Sequence, residues 1–174
     1  QVTAETAPHY LLLTDRELLK KDADYRMNPP LRTEKDRLAM IEALRDGTID
    51  AIATDHAPHT PEEKADFLKA PNGSIGMETS FSASYTALVK TGVLTLPALI
   101  ERMSVRPAQI LGIEAGVIEA GAPADIALID ENAVWTVDPD KLHGKSRNTP
   151  FKGMTLHAKV RATVCGGRIV YSEL

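Results

Sequence analysis

Reactive side chains cluster where an apolar run of this sequence ends. Ile49–Thr54 is short and mostly small or apolar, which is typical of a strand buried on both faces of a parallel sheet. Asp55, His56 and His59 follow it at once. Carboxylate and imidazole groups bind divalent metal ions and transfer protons, and loops after such strands form the active sites of α/β folds. An alternative is that Asp55 caps the next helix while both histidines lie in solvent.

Two further polar clusters follow extended segments of the chain. They are His9 on its own, and Asn28 together with Arg32. If the segments that precede them pair in one parallel sheet, all three clusters meet at the carboxyl-terminal edge of that sheet. His9 and Asp55 would then supply a nitrogen and an oxygen ligand suited to zinc, and Asp55 could also transfer a proton. His9 could equally be a histidine of a surface loop.

These two ligands do not complete a catalytic zinc site, which uses three protein ligands and a water. His143 and His157 lie in a later β-rich region and are predicted to be structural. His56 immediately follows Asp55, so we expect its side chain to point away from the site. The remaining ligands are therefore expected upstream of this sequence.

Helices and strands alternate in the first part of the chain, which predicts a parallel α/β fold. A strand over residues 2–5 leads to a loop that carries His9, and a capping-box pattern opens a short helix over residues 14–20. The proline-containing segment 27–32 cannot be helical. A helix from Thr33 to about Arg45 precedes the strand that ends at Asp55. We expect this helix to end at Gly47 and to present one apolar face, formed by Leu38, Ile41 and Leu44.

The second part of the chain changes in character. Residues 60–79 form a long loop of the kind that covers a site, and three helices are predicted over residues 81–90, 95–103 and 107–111. Strand-like segments follow at residues 125–130 and 134–137. Residues 159–165 and 168–171 form a hairpin whose turn is Gly166–Gly167. We place a domain boundary near residue 115, with a small β module after it.

Composition narrows the possible functions. The chain has 174 residues, 43% of them hydrophobic, and a net charge of -4, with no basic stripe that would favour nucleic acid. No apolar run approaches the roughly 20 residues of a membrane span. Cys165 is the single cysteine and is predicted to be a buried strand residue, consistent with a cytoplasmic protein. Because the sequence opens at Gln1 directly in a strand, we expect a carboxyl-terminal piece of a longer protein.

Several motifs together resemble the larger bacterial dihydroorotases of the amidohydrolase superfamily. The specific pair is Asn-Pro-Pro-Leu-Arg at residues 28–32 and Thr-Asp-His-Ala-Pro-His at residues 54–59, where related hydantoinases and allantoinases usually differ. The resemblance covers essentially the whole chain in order. Its other motifs lie at residues 6–9, 70–79, 106–108, 121–126 and 148–153.

The resemblance implies an α/β fold that is part of a (β/α)8 TIM barrel. Residues 1–115 would be its carboxyl-terminal part, with the last three strands, and residues 116–174 a share of a small β-sandwich. It also implies a binuclear zinc site in the whole protein, whose His-x-His pair, carboxylate-binding arginine, bridging acid or modified lysine, and another histidine all lie upstream.

The resemblance further implies a role for individual residues of this chain. His9 would be a zinc ligand, and Asp55 would be both a zinc ligand and the catalytic acid and base. Asn28 and His59 would bind the substrate, and Asn72 and Gly73 would contact its ring through their backbone. Asn72 stands where many relatives have phenylalanine, so side-chain packing over the ring would differ here.

The function implied is interconversion of N-carbamoyl-L-aspartate and dihydroorotate in pyrimidine synthesis, with these 174 residues inactive alone. Two other functions remain open: a hydantoinase or allantoinase relative, and a non-catalytic dihydroorotase-like partner of aspartate transcarbamoylase. Apart from a small-molecule substrate, the expected partners are a second copy of the chain or the missing amino-terminal half. Because three strands of a barrel leave an open edge, we expect the chain to be ordered only against such a surface.

Overall fold

The computed structural model describes residues 2–174 of the chain. Its strands are β1 (Glu5–Thr6), β2 (Ala51–Ile52), β3 (Ile126–Thr136), β4 (Thr155–Cys165) and β5 (Arg168–Ser172). Its α-helices are α1 (Pro8–Leu12), α2 (Glu34–Asp46), α3 (Ser80–Ser84), α4 (Leu96–Ile100) and α5 (Arg106–Leu111). Short 3-10 turns occupy Asp15–Lys20, Ala23–Tyr25 and Pro139–Lys141.

A small parallel sheet joins two segments that lie far apart in the first part of the chain. β1 and β2 pair in parallel, with Glu5 opposite Ala51 and Thr6 opposite Ile52, as the alternation of elements predicted. Among the described residues this sheet has two strands and not the three that the resemblance implied, because the segment before Asn28 does not pair with them. An isolated parallel bridge joins His56 to Ser74. Both polar loops, after β1 and after β2, therefore leave the same edge of one sheet.

Helix α2 forms as its sequence signals predicted. The Thr33 side chain accepts a hydrogen bond from the Asp36 backbone, and Asp36 accepts one from the Thr33 backbone. Gly47 ends the helix in the left-handed region at φ 87°. One part of the predicted apolar face is wrong: Leu44 is fully buried, but Leu38 lies at the solvent end of that face and is 52% exposed.

Two local predictions near the amino terminus are corrected by the structure. His9 lies in the short helix α1 and not in a loop, because Pro8 fits the first position of a helix. The capping box predicted at Thr14 does not form: Asp15–Lys20 is a 3-10 helix without a side-chain cap.

The helix predicted over residues 81–90 forms over nearly the same range, and the two helices predicted after it merge. α3 continues into a π-helical turn at Tyr85–Val89, and α4 runs through another, Glu101–Val105, directly into α5. The separate helices predicted over residues 95–103 and 107–111 are thus one helical segment. Pro107 occupies an early position of α5 without interrupting it.

The β module is a three-stranded antiparallel sheet in the order β3-β4-β5. The two strand-like segments predicted over residues 125–137 form the single strand β3, with irregular register where its pairing with β4 shifts. Gly166 and Gly167 make the tight turn at φ 53° and 75°, as predicted. Cys165 ends β4 and is exposed, so its predicted burial is wrong.

Two apolar cores hold the chain together. One packs around the buried leucines Leu11, Leu44, Leu88 and Leu99, and the other includes Leu13, Met27 and Leu31. Phe151, which follows the boundary predicted near residue 115, is 2% exposed and belongs to the second core. The later segment thus packs against the loops of the parallel sheet. Among the described residues, no helix is long and apolar enough to cross a membrane.

Candidate active site

His9 is a buried imidazole with an unused nitrogen. Its residue is 2% exposed, and its Nε2 has no hydrogen-bond partner among the described residues. Burial lowers the pKa of His9 from 6.5 to about 4, although the charge of Asp55 acts in the opposite direction. The ring is therefore neutral near pH 7, the form in which imidazole binds a metal ion. Tyr10 packs beside it, with ring centroids 4.2 Å apart.

Asp55 lies in the loop just after β2, where its charge acts on His9. Its φ is 49°, an uncommon conformation for a residue other than glycine, and its side chain is exposed. Its charge acts on both His9 and Tyr10. Asp55 thus acts electrostatically on His9 from a position 46 residues away in sequence, and the binding of a metal ion by both residues stays a prediction.

Tyr10 links this pair to the segment that carries Asn28. Its hydroxyl donates a hydrogen bond of 2.7 Å to the Pro29 carbonyl, next to Asn28. Burial, and secondarily the charge of Asp55, raise the pKa of Tyr10 to about 12, so its hydroxyl keeps its proton at neutral pH. Asn28 is exposed beside this contact. Arg32, from the same polar cluster, instead approaches Asp36 at 3.8 Å.

His59 has both ring nitrogens next to acceptors. Nδ1 lies 3.3 Å from a Glu63 carboxylate oxygen, and Nε2 lies 3.1 Å from the Asn72 carbonyl. Both nitrogens can donate together only when the ring carries two protons. His59 and Asn72, both predicted to bind substrate, are therefore in direct contact, and a ligand that used the His59 ring would replace one of these bonds.

Gly73 lies where two loops touch at backbone distance. Its φ is 115°, and a Cβ built on it would lie 2.5 Å from the Ala57 Cβ. Its amide donates to the Arg26 carbonyl at 2.7 Å, which fixes the loop against the segment before Asn28. Only glycine fits both the backbone conformation and the space.

His56 shapes the loops and does not join the His9–Asp55 pair. Its Nδ1 accepts a hydrogen bond of 3.1 Å from the Gly76 amide. A cavity of about 440 Å³ lies on this side and is bordered by both His56 and His59. Neither His9 nor Asp55 lines it, so this cavity is beside the predicted metal position and not at it. The candidate site is therefore located from the chemistry of His9 and Asp55 and not from the position of the cavity.

The donor set fits a metal ion but is incomplete. An unpaired buried imidazole nitrogen next to a carboxylate is what a zinc ligand pair requires. Among residues 2–174, no group of three or more His, Cys, Asp or Glu side chains could hold a metal ion. His143 takes no part, because its Nδ1 contacts Glu78 at 2.8 Å. Any further ligands must come from outside the described residues.

Sequence reasoning missed three residues that organise the site. Tyr10 holds the Asn28 segment, Lys64 donates to the carbonyls of Ala23 and Pro71, and Asn148 bonds to both loops. Asn148 belongs to a motif that supported the resemblance, but no feature of the sequence shows which distant backbone groups its amide meets.

Comparisons with known proteins show the family to which the chain belongs. The model of the amidohydrolase family matches residues 3–170, and the chain belongs to that family. Over 99% of its length it is 53% identical to a protein named dihydroorotase from Geobacter metallireducens. It is 49% identical to another of that name from Bacillus caldolyticus. The resemblance to dihydroorotases is confirmed, and the chain spans 41% of the length of each of these relatives.

Solved structures agree on the fold. An L-hydantoinase (dihydropyrimidinase) from Arthrobacter aurescens superposes with a TM-score of 0.92 at 30% identity, over 99% of this chain and 40% of that one. A dihydropyrimidinase from Brevibacillus agri gives 0.91 at 30% identity, over 98% and 39%. The chain therefore has the α/β fold of the corresponding part of these enzymes.

Proposed function

We propose that the protein containing this chain is a dihydroorotase, which interconverts N-carbamoyl-L-aspartate and dihydroorotate. The observation that carries the proposal is the paired placement of His9 and Asp55 at one sheet edge, in a chain about 50% identical to proteins of that name. The pair suits a hydrolase of cyclic amides, because such a reaction must activate water and protonate a leaving nitrogen.

The orphan Nε2 of His9 and the Asp55 carboxylate would hold zinc, as part of a binuclear site completed by residues outside this chain. When bound, the metal would lower the pKa of water from about 15.7 toward about 7 and polarise the ring carbonyl. Burial keeps His9 neutral, so its nitrogen lone pair is available near pH 7.

Asp55 would move the proton. In the hydrolytic direction its carboxylate accepts a proton as water attacks the ring amide carbon and the new C–O bond forms. It then donates that proton to the ring nitrogen as the C–N bond breaks, which restores the carboxylate. The exposed position of Asp55 at the mouth of the loop leaves it accessible to a substrate.

The remaining predicted residues would bind the substrate. The side-chain amide of Asn28 and the ring of His59 offer hydrogen-bond donors to a carboxylate or ring carbonyl, and Asn72 and Gly73 offer backbone groups. Dihydroorotate carries both a carboxylate and ring amides. This polarity matches the donors better than an uncharged ring does.

We further propose the finer architecture that the resemblance implied. The β1–β2 sheet would be part of a (β/α)8 barrel, and the β3–β5 sheet a share of a small β-sandwich. The remaining strands would come from the part of the protein outside residues 1–174. The domain boundary near residue 115, the cytoplasmic location and a partnership with aspartate transcarbamoylase stay predictions.

The test is a substrate panel on the full-length protein, with metal content measured on the same sample. We expect turnover of dihydroorotate, bound zinc, and much slower turnover of hydantoin, dihydrouracil and allantoin. Preference for hydantoin would favour the hydantoinase alternative, since the solved neighbours carry that name. A protein that binds no metal and is inactive on every ring would support the non-catalytic alternative.

The role of Asp55 is tested by Asp55→Asn in the same protein. Loss of the proton carrier should lower kcat by about 100- to 10,000-fold, the usual contribution of general acid–base catalysis. Asp15→Asn makes the same change at an exposed site whose carboxylate has no partner among the described residues, and should leave kcat unchanged. An Asp55→Asn enzyme with more than a tenth of wild-type kcat would contradict the assignment.

A further inference from the structure

Asn148 is a buried amide that reaches two substrate loops from a distant part of the chain. It is 4% exposed and precedes the buried segment Thr149–Phe151, which anchors it in the core. It lies 89 residues beyond His59 in sequence, in the stretch between β3 and β4. Its position is therefore set by the packing of this segment in the core that also contains Leu13, Met27 and Leu31.

Every polar atom of the Asn148 side chain is used. Its Nδ2 donates to the Ala57 carbonyl at 3.0 Å and to the Gly73 carbonyl at 3.3 Å. Its Oδ1 accepts from the His59 amide at 3.2 Å. Two donors and one acceptor on the same small group are a property of an amide, which neither a carboxylate nor a hydroxyl reproduces.

The contacts join two loops that also touch each other. The Ala57 amide donates to the Ser74 carbonyl at 2.8 Å, and the Ile75 amide donates to the Asn148 carbonyl at 3.0 Å. Asn148 thus joins the loop of residues 55–59 to the loop of residues 72–76 by hydrogen bonds. One loop carries Asp55 and His59, and the other carries Asn72 and Gly73.

We infer that Asn148 is a positioning residue that sets the separation of these two loops and thereby the fit of the substrate. The inference rests on the proposed function, because it assigns Asn148 to the substrate site of that reaction. Asn148 itself acts only through the backbone of Ala57, His59 and Gly73. Its loss should therefore disturb substrate binding more than proton transfer.

The test compares Asn148→Asp and Asn148→Ser with Asn132→Asp in the full-length protein. In Asn148→Asp, an acceptor that faces two carbonyls replaces the two N–H donors. In Asn148→Ser, the side chain is too short to reach both loops. Asn132 is exposed on β3 and takes the same amide-to-acid change without a loop contact. We expect KM to rise at least tenfold in both Asn148 variants, with kcat within threefold of wild type, and no change in Asn132→Asp.

Amide hydrogen exchange locates the effect. In Asn148→Ser the His59 amide should exchange at least tenfold faster, because it loses its acceptor. The Ala53 amide, which donates to the Thr6 carbonyl in the parallel sheet, should be unaffected. Faster exchange at both amides would indicate general destabilisation and would overturn the inference.

The outcomes separate this inference from the proposed function. A purely structural role would lower the active fraction and hence kcat, with KM unchanged, so that pattern overturns the inference. Failure of both variants to fold does the same. If wild-type protein prefers another ring, the proposed function fails, but the KM comparison is made with that ring and still decides the role of Asn148.

Discussion

Single residues of this site are held in states that cost stability. His9 is buried with a nitrogen that has no partner among residues 2–174, and such a group typically costs about 1–3 kcal/mol until it is paired. Asp55 adopts a positive φ in the loop that follows β2. Strain and unsatisfied groups cluster at functional sites because the surrounding fold maintains them. Both costs lie on the pair of residues that the proposed chemistry uses.

Gly73 gives the sharpest prediction at this scale. In Gly73→Ala the new methyl group meets the Ala57 Cβ in a backbone conformation that only glycine adopts readily, so the loops must separate. We expect the variant to lower the free energy of unfolding by about 2–4 kcal/mol and to raise KM. Thermal denaturation and steady-state kinetics of the full-length protein measure the two effects.

Gly121→Ala is the matched control for that change. Gly121 also has a positive φ, 93°, but within the described part of the chain a Cβ there has no neighbour within 4 Å. It should show only the conformational cost, about 1–2 kcal/mol, with KM unchanged. Equal stability and equal KM in the two variants would show that the contact between the loops does not matter.

The sequence could single out candidate reactive residues but not the residues that contact and position them. His9, Asp55 and His59 are recognisable because their types suit metal and proton chemistry and because they follow strand-like runs. The role of Asn148 depends on carbonyls 91 and 75 residues away, and that of Tyr10 depends on a carbonyl 19 residues away. Such contacts come from tertiary packing, which one sequence does not encode locally.

At the scale of elements, the sequence predicted the helix with local end signals more accurately than the strands, whose extent depends on tertiary pairing. Helix α2 was predicted closely because its cap at Thr33 and its stop at Gly47 are local. Strands β1 and β2 extend over only two residues each, because their pairing is limited to Glu5 with Ala51 and Thr6 with Ile52. The π-helical turns at Tyr85–Val89 and Glu101–Val105 left no signal in the apolar pattern.

The ion pairs of Glu173, just after β5, predict how the free energy of unfolding depends on pH. Hydrogen bonds from Lys159 first, and from Tyr171 next, lower the pKa of Glu173 from 4.5 to about 2. Arg161 lies 3.4 Å from the same carboxylate. A lowered pKa means that the folded state holds its proton less tightly. The stabilisation is therefore complete above about pH 4.5 and is lost as the pH falls toward 2.

Urea unfolding at pH 6 and at pH 3 tests this prediction. The Glu173 side chain is 34% exposed, so solvent screening limits the effect to below about 1 kcal/mol. Wild-type protein should lose more stability between the two pH values than Glu173→Gln, which has no carboxylate to protonate. Glu119→Gln, at an exposed loop position, should behave as wild type. An identical pH dependence in Glu173→Gln would exclude the contribution.

The whole molecule exposes surfaces that a closed fold would cover. Within the described residues β1 and β2 pair only with each other, so each leaves one edge unpaired. In the β module, Ile169 is 69% exposed and Val170 is 63% exposed on the outer strand β5. Unpaired edges and apolar outer strands are sites where chains associate.

Residues 1–174 produced alone should therefore associate at micromolar concentration. Size-exclusion chromatography with light scattering should give a mass at least twice the 18.9 kDa of the chain. Ile169→Lys places a charge on the outer strand and should reduce the association, because inward or edge charges block strand pairing. Leu19→Lys, at an exposed leucine of the Asp15–Lys20 turn, should not. A stable monomer at all concentrations would show that these surfaces need no partner, and association unaffected by Ile169→Lys would place the contact on the β1–β2 edges instead.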